Sequence, residues 1–178
     1  MPINDTMPPN PDPQALDQAT LARVRQVFQQ ARSGDADALE ALLAQGLPPN
    51  LCNERGDSLL MLACYHGHPD AARVLLEHGA DPALMNDAGQ APLHGAAFKG
   101  DLAVATLLLE HGARPDHAGP NGKTALMFAA MFDRTDIAGL LLARGADPHA
   151  RDADGVSPLD AALRMGARGT ATLLARQG

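Results

Sequence analysis

The chain has 178 residues, of which 46% are apolar but only 3% aromatic, and its formal net charge is −7 at pH 7. Alanine and leucine supply most of the apolar content, which favours closely packed helices over a β-sandwich. The two lysines and the scattered arginines form no basic stripe, so nucleic acid is not an expected partner. No segment approaches the roughly eighteen apolar residues that span a bilayer, so we expect no membrane partner.

The first fourteen residues, MPINDTMPPNPDPQ, contain five prolines and little that is apolar. They predict a disordered or extended arm over residues 1–14. The arm lacks the basic and apolar regions of a secretory signal. Together with Cys52 and Cys64, which match no disulfide or zinc pattern, this predicts a cytoplasmic protein.

Residues 15–50 predict two helices with Gly34 at the turn between them. The first helix carries polar residues that suit a solvent-facing surface: Arg23, Arg25, Gln26, Gln29 and Gln30. An outward polar face is what the terminal unit of a repeat array requires.

Glycines then recur with a period of 33 residues in two series: Gly56, Gly89, Gly122 and Gly155, and Gly46, Gly79, Gly112 and Gly145. A fixed period of this length is typical of stacked repeats. We therefore predict one domain over residues 15–178. It divides into a cap repeat (15–50), three full repeats (51–85, 86–118 and 119–151) and a closing cap repeat (152–178).

Short motifs repeat with the same period. APLH at residues 91–94, TAL at 124–126 and SPL at 157–159 begin one helix, and LLxxGA segments end the second helix at residues 75–80, 108–113 and 141–146. These segments resemble the ankyrin repeat over about residues 18–178. The resemblance implies an all-α solenoid of stacked antiparallel helix pairs joined by hairpin-like turns.

Helix signals agree with this repeat. Ser58, Thr124 and Ser157 are placed to cap a first helix, and Pro158 suits its first position. Gly67, Gly100 and Gly166 are placed to end that helix in a left-handed conformation. Two positions depart from the pattern: Ala91 lacks the capping hydroxyl, and Asp133 replaces the turn glycine.

The two positions before each turn glycine line the concave recognition groove in ankyrin proteins. In this chain they hold Tyr65, His66, Phe98, Lys99, Met131, Phe132, Arg164 and Met165. Aromatic residues, Met and Arg are enriched at interface cores. We expect these eight residues to bind a partner; the alternative is that they only pack between neighbouring repeats. The turn tips, with mixed charge, are expected to form a polar rim.

Seven histidines raise the question of metal binding or catalysis. His78 and His111 are placed to bond the last carbonyls of a helix, and His94 to make a structural hydrogen bond. His66 and His68 lack a third ligand at a standard spacing, and His117 and His149 are expected to be solvated. No catalytic or nucleotide-binding motif is present, so we expect neither an enzyme nor a cofactor or metal.

The predicted function is therefore non-enzymatic binding of another protein through the groove, with the partner offering a basic or mixed surface. Two further possibilities stay open: an immunity- or antitoxin-type inhibitor of an enzyme or toxin, and an accessory factor that protects an enzyme during oxidative stress. Arginine-over-lysine usage and high alanine content suggest a bacterial source. Solenoids with polar caps are commonly monomeric, so a monomer is expected.

Overall fold

A computed structural model describes residues 13–177 of the chain, which form ten α-helices. In order they are α1 (Pro13–Ser33), α2 (Ala36–Ala44), α3 (Leu59–Tyr65), α4 (Pro69–Glu77), α5 (Pro92–Lys99), α6 (Leu102–Glu110), α7 (Ala125–Met131), α8 (Thr135–Ala143), α9 (Pro158–Met165) and α10 (Arg168–Leu174). A 3₁₀ turn, Ala175–Gln177, follows α10. The predicted all-α class is confirmed.

The helices form two layers. The odd-numbered helices α1 to α9 form the inner layer, and each packs on the next odd-numbered helix. The even-numbered helices α2 to α10 form the outer layer and pack on one another in the same way. Each repeat therefore contributes one helix to each layer and touches only its neighbours, as in other solenoids. The helix α1 begins at Pro13, so the last two residues of the predicted arm are helical, and the rest of the arm lies outside the described residues.

The core lies between successive repeats. In α5, Leu93, Ala96 and Ala97 are buried, and the corresponding residues of α7 are buried as predicted. Small alanines let neighbouring helices of the inner layer approach closely, while fully buried leucines such as Leu75 and Leu108 fill the space behind them. Burial of this kind is what holds helices of two turns in place, since they are too short to be stable alone.

The predicted first-helix caps are present. The hydroxyls of Ser58, Thr124 and Ser157 accept hydrogen bonds from the backbone N–H groups of Met61, Met127 and Asp160. Ala91 makes no such bond; instead its own N–H donates to Nδ1 of His94 at 2.9 Å. The helix α5 thus keeps one half of a reciprocal cap and lacks the other half.

The turn after each first helix requires a positive φ. Gly67, Gly100 and Gly166 have φ values of 74°, 83° and 70°, and Asp133, with φ 52°, is the one non-glycine among the described residues that shares this conformation. The Asp133 carboxylate accepts bonds from the backbone N–H of Thr170 (2.7 Å) and from its hydroxyl (2.8 Å). It therefore caps α10 of the following repeat, whose own N-cap residue, Ala167, has no side chain for that role.

The histidines have the predicted structural roles with one exception. Nδ1 of His78 and of His111 lies 2.9 Å from the carbonyl oxygen of Val74 and Leu107, at the ends of α4 and α6. His149 is exposed. The prediction that His117 is solvated is wrong: it is half-buried, and its ring lies 6.4 Å from that of His94. It occupies the position that leucine fills one and two repeats earlier, which draws it under the turn.

Candidate functional site

One wall of a groove is built by the turns that join the repeats. These turns are tied to one another, because Asp87 N–H donates to the carbonyl of Arg55 (3.0 Å) and Ala153 N–H donates to that of Asn121 (2.9 Å). Between these two pairs, Gly119 lies so close to the carbonyl oxygen of Gly89 that a side chain at 119 would collide with it. Main-chain contacts therefore connect successive turns into one wall, and turn side chains such as Arg55 and Asp87 line the groove.

The floor of the groove is built by the inner-layer helices. The eight predicted site residues lie at their carboxyl ends or in the C-cap position just after them. Tyr65 is 38% exposed and Met165 55% exposed. His66, Lys99 and Arg164 are also exposed, whereas Phe98, Met131 and Phe132 are half-buried. All eight residues reach solvent.

Three of the predicted residues form a chain of aromatic contacts across three repeats. The rings of Tyr65 and Phe98 are stacked, with centroids 6.1 Å apart and an angle of 7° between their planes. The ring of Phe132 meets Phe98 edge-on at 4.6 Å. Aromatic pairs at such distances are favourable beyond the area that they bury. These residues thus pack between repeats and remain accessible from the groove at the same time.

Positive charge lies beside the aromatic chain. The Lys99 ammonium lies 4.4 Å from the centre of the Tyr65 ring, a cation–π geometry. Burial, together with neighbouring His68, Lys99 and Arg32, lowers the pKa of His66. His66 therefore favours its neutral form, and its ring stands edge-on to Tyr65 at 5.5 Å.

Six of the eight predicted residues line two depressions of different size. A depression of about 640 Å³ lies beside Tyr65, His66 and Phe98, between the second and third repeats. A smaller one of about 150 Å³ lies beside Met131, Arg164 and Met165. The predicted residues thus line a larger depression on the amino-terminal side and a smaller one on the carboxy-terminal side, and Phe132 contacts Phe98 between them.

Sequence reasoning missed several residues of the large depression. Arg32 lies at its edge, 33 positions before Tyr65, so the repeat register could have found it. Met61 and Gly95 lie in its lining as well. Gly95 carries no side chain, and only a comparison with its counterparts Leu62, Phe128 and Ala161 marks the position as unusual.

The part of the chain that the structure describes contains no group of three or more His, Cys, Asp or Glu side chains placed to hold a metal ion. His66 and His68 stack with ring centroids 6.5 Å apart. Cys64 is fully buried and burial raises the pKa of its thiol, while Cys52 is exposed. Over residues 13–177, no helix has the length and apolar character to cross a membrane.

The stacked helix pairs and the groove that carries aromatic side chains define this chain as an α-helical repeat protein. The family model for three ankyrin repeats matches residues 27–119, and that for a single ankyrin repeat matches residues 121–153. The chain belongs to the ankyrin-repeat family. Members of this family are generally non-enzymatic and generally act as protein–protein interaction modules.

A bacterial relative supports the same assignment. A Pseudomonas aeruginosa protein, named as an ankyrin repeat protein, is 58% identical over 62 residues. The match covers 35% of this chain and 36% of the relative, so the chain spans about a third of the length of the curated relative that it matches.

Proposed function

We propose that the chain is a non-enzymatic binding module that holds a partner protein in its concave groove, with the contact centred on Tyr65, Phe98 and Phe132. The observation that carries this proposal is the exposure of an aromatic chain on a face that the stacking of repeats leaves open. Large aromatic side chains that reach solvent in a groove are the usual anchors of protein interfaces.

The surroundings of the aromatic chain suit an interface. Both signs of charge lie at the edge of the large depression, where Arg32, Arg55 and Asp87 surround the rings. A polar, mixed rim around an apolar centre is the common anatomy of a protein–protein contact. The partner surface that fits is apolar at its centre and carries charges of both signs, or a net positive charge, at its edge.

The partner can be captured from a lysate of the source organism with the immobilised chain, then purified and titrated by calorimetry. The variant Tyr65→Ala/Phe98→Ala/Phe132→Ala should weaken its affinity by about 100-fold or more, since each hot-spot residue typically contributes upwards of ~2 kcal/mol. Far-UV circular dichroism below the melting temperature checks that the helices remain.

A matched control lies on the outer layer. The variant Arg73→Ala/Thr106→Ala/Glu110→Ala also removes three side chains, from the lining of a depression between α4 and α6 that contains none of the predicted site residues. This control should change the affinity less than about 3-fold, as expected for residues outside a contact. Equal affinities for the groove variant and the unmodified chain, or a loss that the control shares, would contradict the proposal.

A further inference from the structure

The lining of the large depression includes one position, Gly95, that lacks the side chain that the next repeat has. Gly95 in α5 and Phe128 in α7 occupy equivalent positions, 33 residues apart. The Phe128 ring leans toward the preceding repeat and lies 5.5 Å from the His94 ring. A β-carbon on Gly95 would point in the corresponding direction, 3.6 Å from Sδ of Met61, the residue equivalent to His94.

The backbone at Gly95 does not require glycine. Its φ is not positive, and an added β-carbon would make only ordinary contacts, with Met61 Sδ at 3.6 Å and Tyr65 Cδ2 at 3.7 Å. Glycine inside a helix costs about 1 kcal/mol relative to alanine. The vacancy therefore serves neither the turn geometry nor the packing of this repeat.

The three atoms nearest to a β-carbon on Gly95 are apolar or sulfur atoms of Met61 and Tyr65. Nδ1 of His94 accepts from Ala91 N–H, and its Nε2 lies 2.8 Å from the carbonyl of His117, so both ring nitrogens are engaged. The Asp57 carboxylate, at the turn side, accepts from the side-chain amides of Asn53 (3.1 Å) and Asn86 (2.8 Å). A polar or charged group placed against Met61 and Tyr65 would lose its water without a replacement bond there, whereas Arg32, Arg55 and Asp87 line other parts of the depression.

The remaining lining favours an aromatic ring. The Met61 sulfur and the Tyr65 ring border the vacancy, and sulfur–aromatic and aromatic–aromatic contacts are both favourable. The volume of the depression, about 640 Å³, falls within the range of ordinary ligand pockets. In the next repeat, Phe128 of the chain itself fills the equivalent place.

We infer that the vacancy at Gly95 is an anchor pocket that takes an aromatic side chain, phenylalanine above all, from the partner protein. The inference rests on the proposed function of the groove and adds what the partner must present. The ring of the partner enters between Met61 and Tyr65 and continues, in the second and third repeats, the contact that Phe128 makes between the third and fourth.

The pocket can be probed without the partner. N-acetyl-phenylalanine amide is titrated into the full chain while the ¹³C-methyl signal of Met61 is followed by NMR, with the leucine, lysine and glutamate analogues as comparators. The phenylalanine analogue should produce a saturable shift with a dissociation constant of about 1 mM, and the charged analogues should bind at least ~10-fold more weakly.

Two variants test the position itself. Gly95→Phe fills the vacancy from inside and should weaken binding of the phenylalanine analogue at least ~10-fold. Phe128→Ala opens the equivalent place in the next repeat and should create a second saturable site, seen at the His94 ring signals; this variant keeps the test decisive if Gly95→Phe does not fold. Absence of a shift at Met61, equal binding of the charged analogues, or unchanged binding by a folded Gly95→Phe variant would overturn the inference.

The partner separates this inference from the proposed function. Gly95→Phe should weaken partner binding at least ~10-fold. If the triple groove variant loses the partner while Gly95→Phe retains it, the groove binds but the pocket does not anchor, and only the inference is overturned. If neither variant loses the partner, the proposed function is also contradicted.

Discussion

The third repeat (residues 86–118) and the fourth (119–151) each depart from the pattern at a place where the other follows it. The third repeat has a turn glycine, Gly100, but no capping hydroxyl at Ala91. The fourth has the hydroxyl of Thr124 but holds Asp133 where the glycine belongs. In the third repeat His94 keeps the other half of the cap by accepting from Ala91 N–H, and in the fourth repeat the Asp133 carboxylate caps the next repeat through Thr170. A position that departs from the repeat pattern can therefore take part in a capping bond either within its own repeat or with the following repeat.

The largest expected effect comes from breaking the contact across the boundary. Asp133→Ala removes two hydrogen bonds to Thr170 and leaves a β-carbon in the left-handed conformation. Thermal melts should show a clear fall in the melting temperature. Asp133→Gly removes the same bonds but relieves the backbone, so it should recover only part of the loss; a glycine variant as stable as the unmodified chain would contradict the capping role.

The same contact predicts a pH dependence. Hydrogen bonds from the Thr170 backbone and hydroxyl lower the pKa of Asp133 below its usual range. A lowered folded-state pKa means that the stabilisation is fully present above the unfolded value of about 3.9 and is lost as the pH falls through the folded value. The difference in melting temperature between the unmodified chain and Asp133→Ala should therefore shrink on acidification below about pH 4.

A smaller gain is expected from completing the cap of the third repeat. Ala91→Thr places a hydroxyl where Ser58, Thr124 and Ser157 carry one, and it should raise the free energy of unfolding by about 1 kcal/mol. Ala91→Val adds a side chain of the same shape without the hydroxyl and serves as the control. Chemical denaturation measures both variants, and an equal gain for valine would show that packing, rather than the hydroxyl, is responsible.

The smallest effect concerns the compensating histidine. Burial is the main reason that the pKa of His94 is lowered, and its Nδ1 must be unprotonated to accept from Ala91 N–H. The stabilisation from neutral His94 is therefore complete above the unfolded value of about 6.5 and declines as the pH falls below it. The chain should be slightly less stable at pH 5.5 than at pH 7.5, whereas His94→Gln, which can still bond the N–H, should lose less. Equal losses would exclude His94 as the source.

Local features of the sequence were enough to predict much of the fold. The caps at Ser58, Thr124 and Ser157 and the positive φ of Gly67, Gly100 and Gly166 depend on bonds within a few residues, so a repeat of 33 residues makes them visible. The strained position of Asp133 was also predictable. The capping role of Asp133 could not be predicted, because Thr170 lies 37 residues away and belongs to the next repeat.

The candidate site likewise has a part that the sequence predicted and a part that it did not. Register placed Tyr65 and Phe98 at equivalent positions and Phe132 one position later in its repeat, and the structure brings the three rings into contact. The pocket at Gly95 depends on a side chain that is absent, and its depth depends on how Met61 and the turns close around it. The shape of a pocket between two repeats depends on how both repeats pack, so the sequence of one repeat does not reveal it.

The close approach of Gly89 and Gly119 has a consequence for how such a groove can diversify. With no room for a β-carbon at Gly119, the spacing between adjacent turns is fixed by main-chain atoms and cannot be adjusted by exchanging side chains there. Selectivity can still change through the side chains that line the groove. On the helical side, one substitution at Gly95 or a counterpart changes the shape of the site without altering the spacing of the turns.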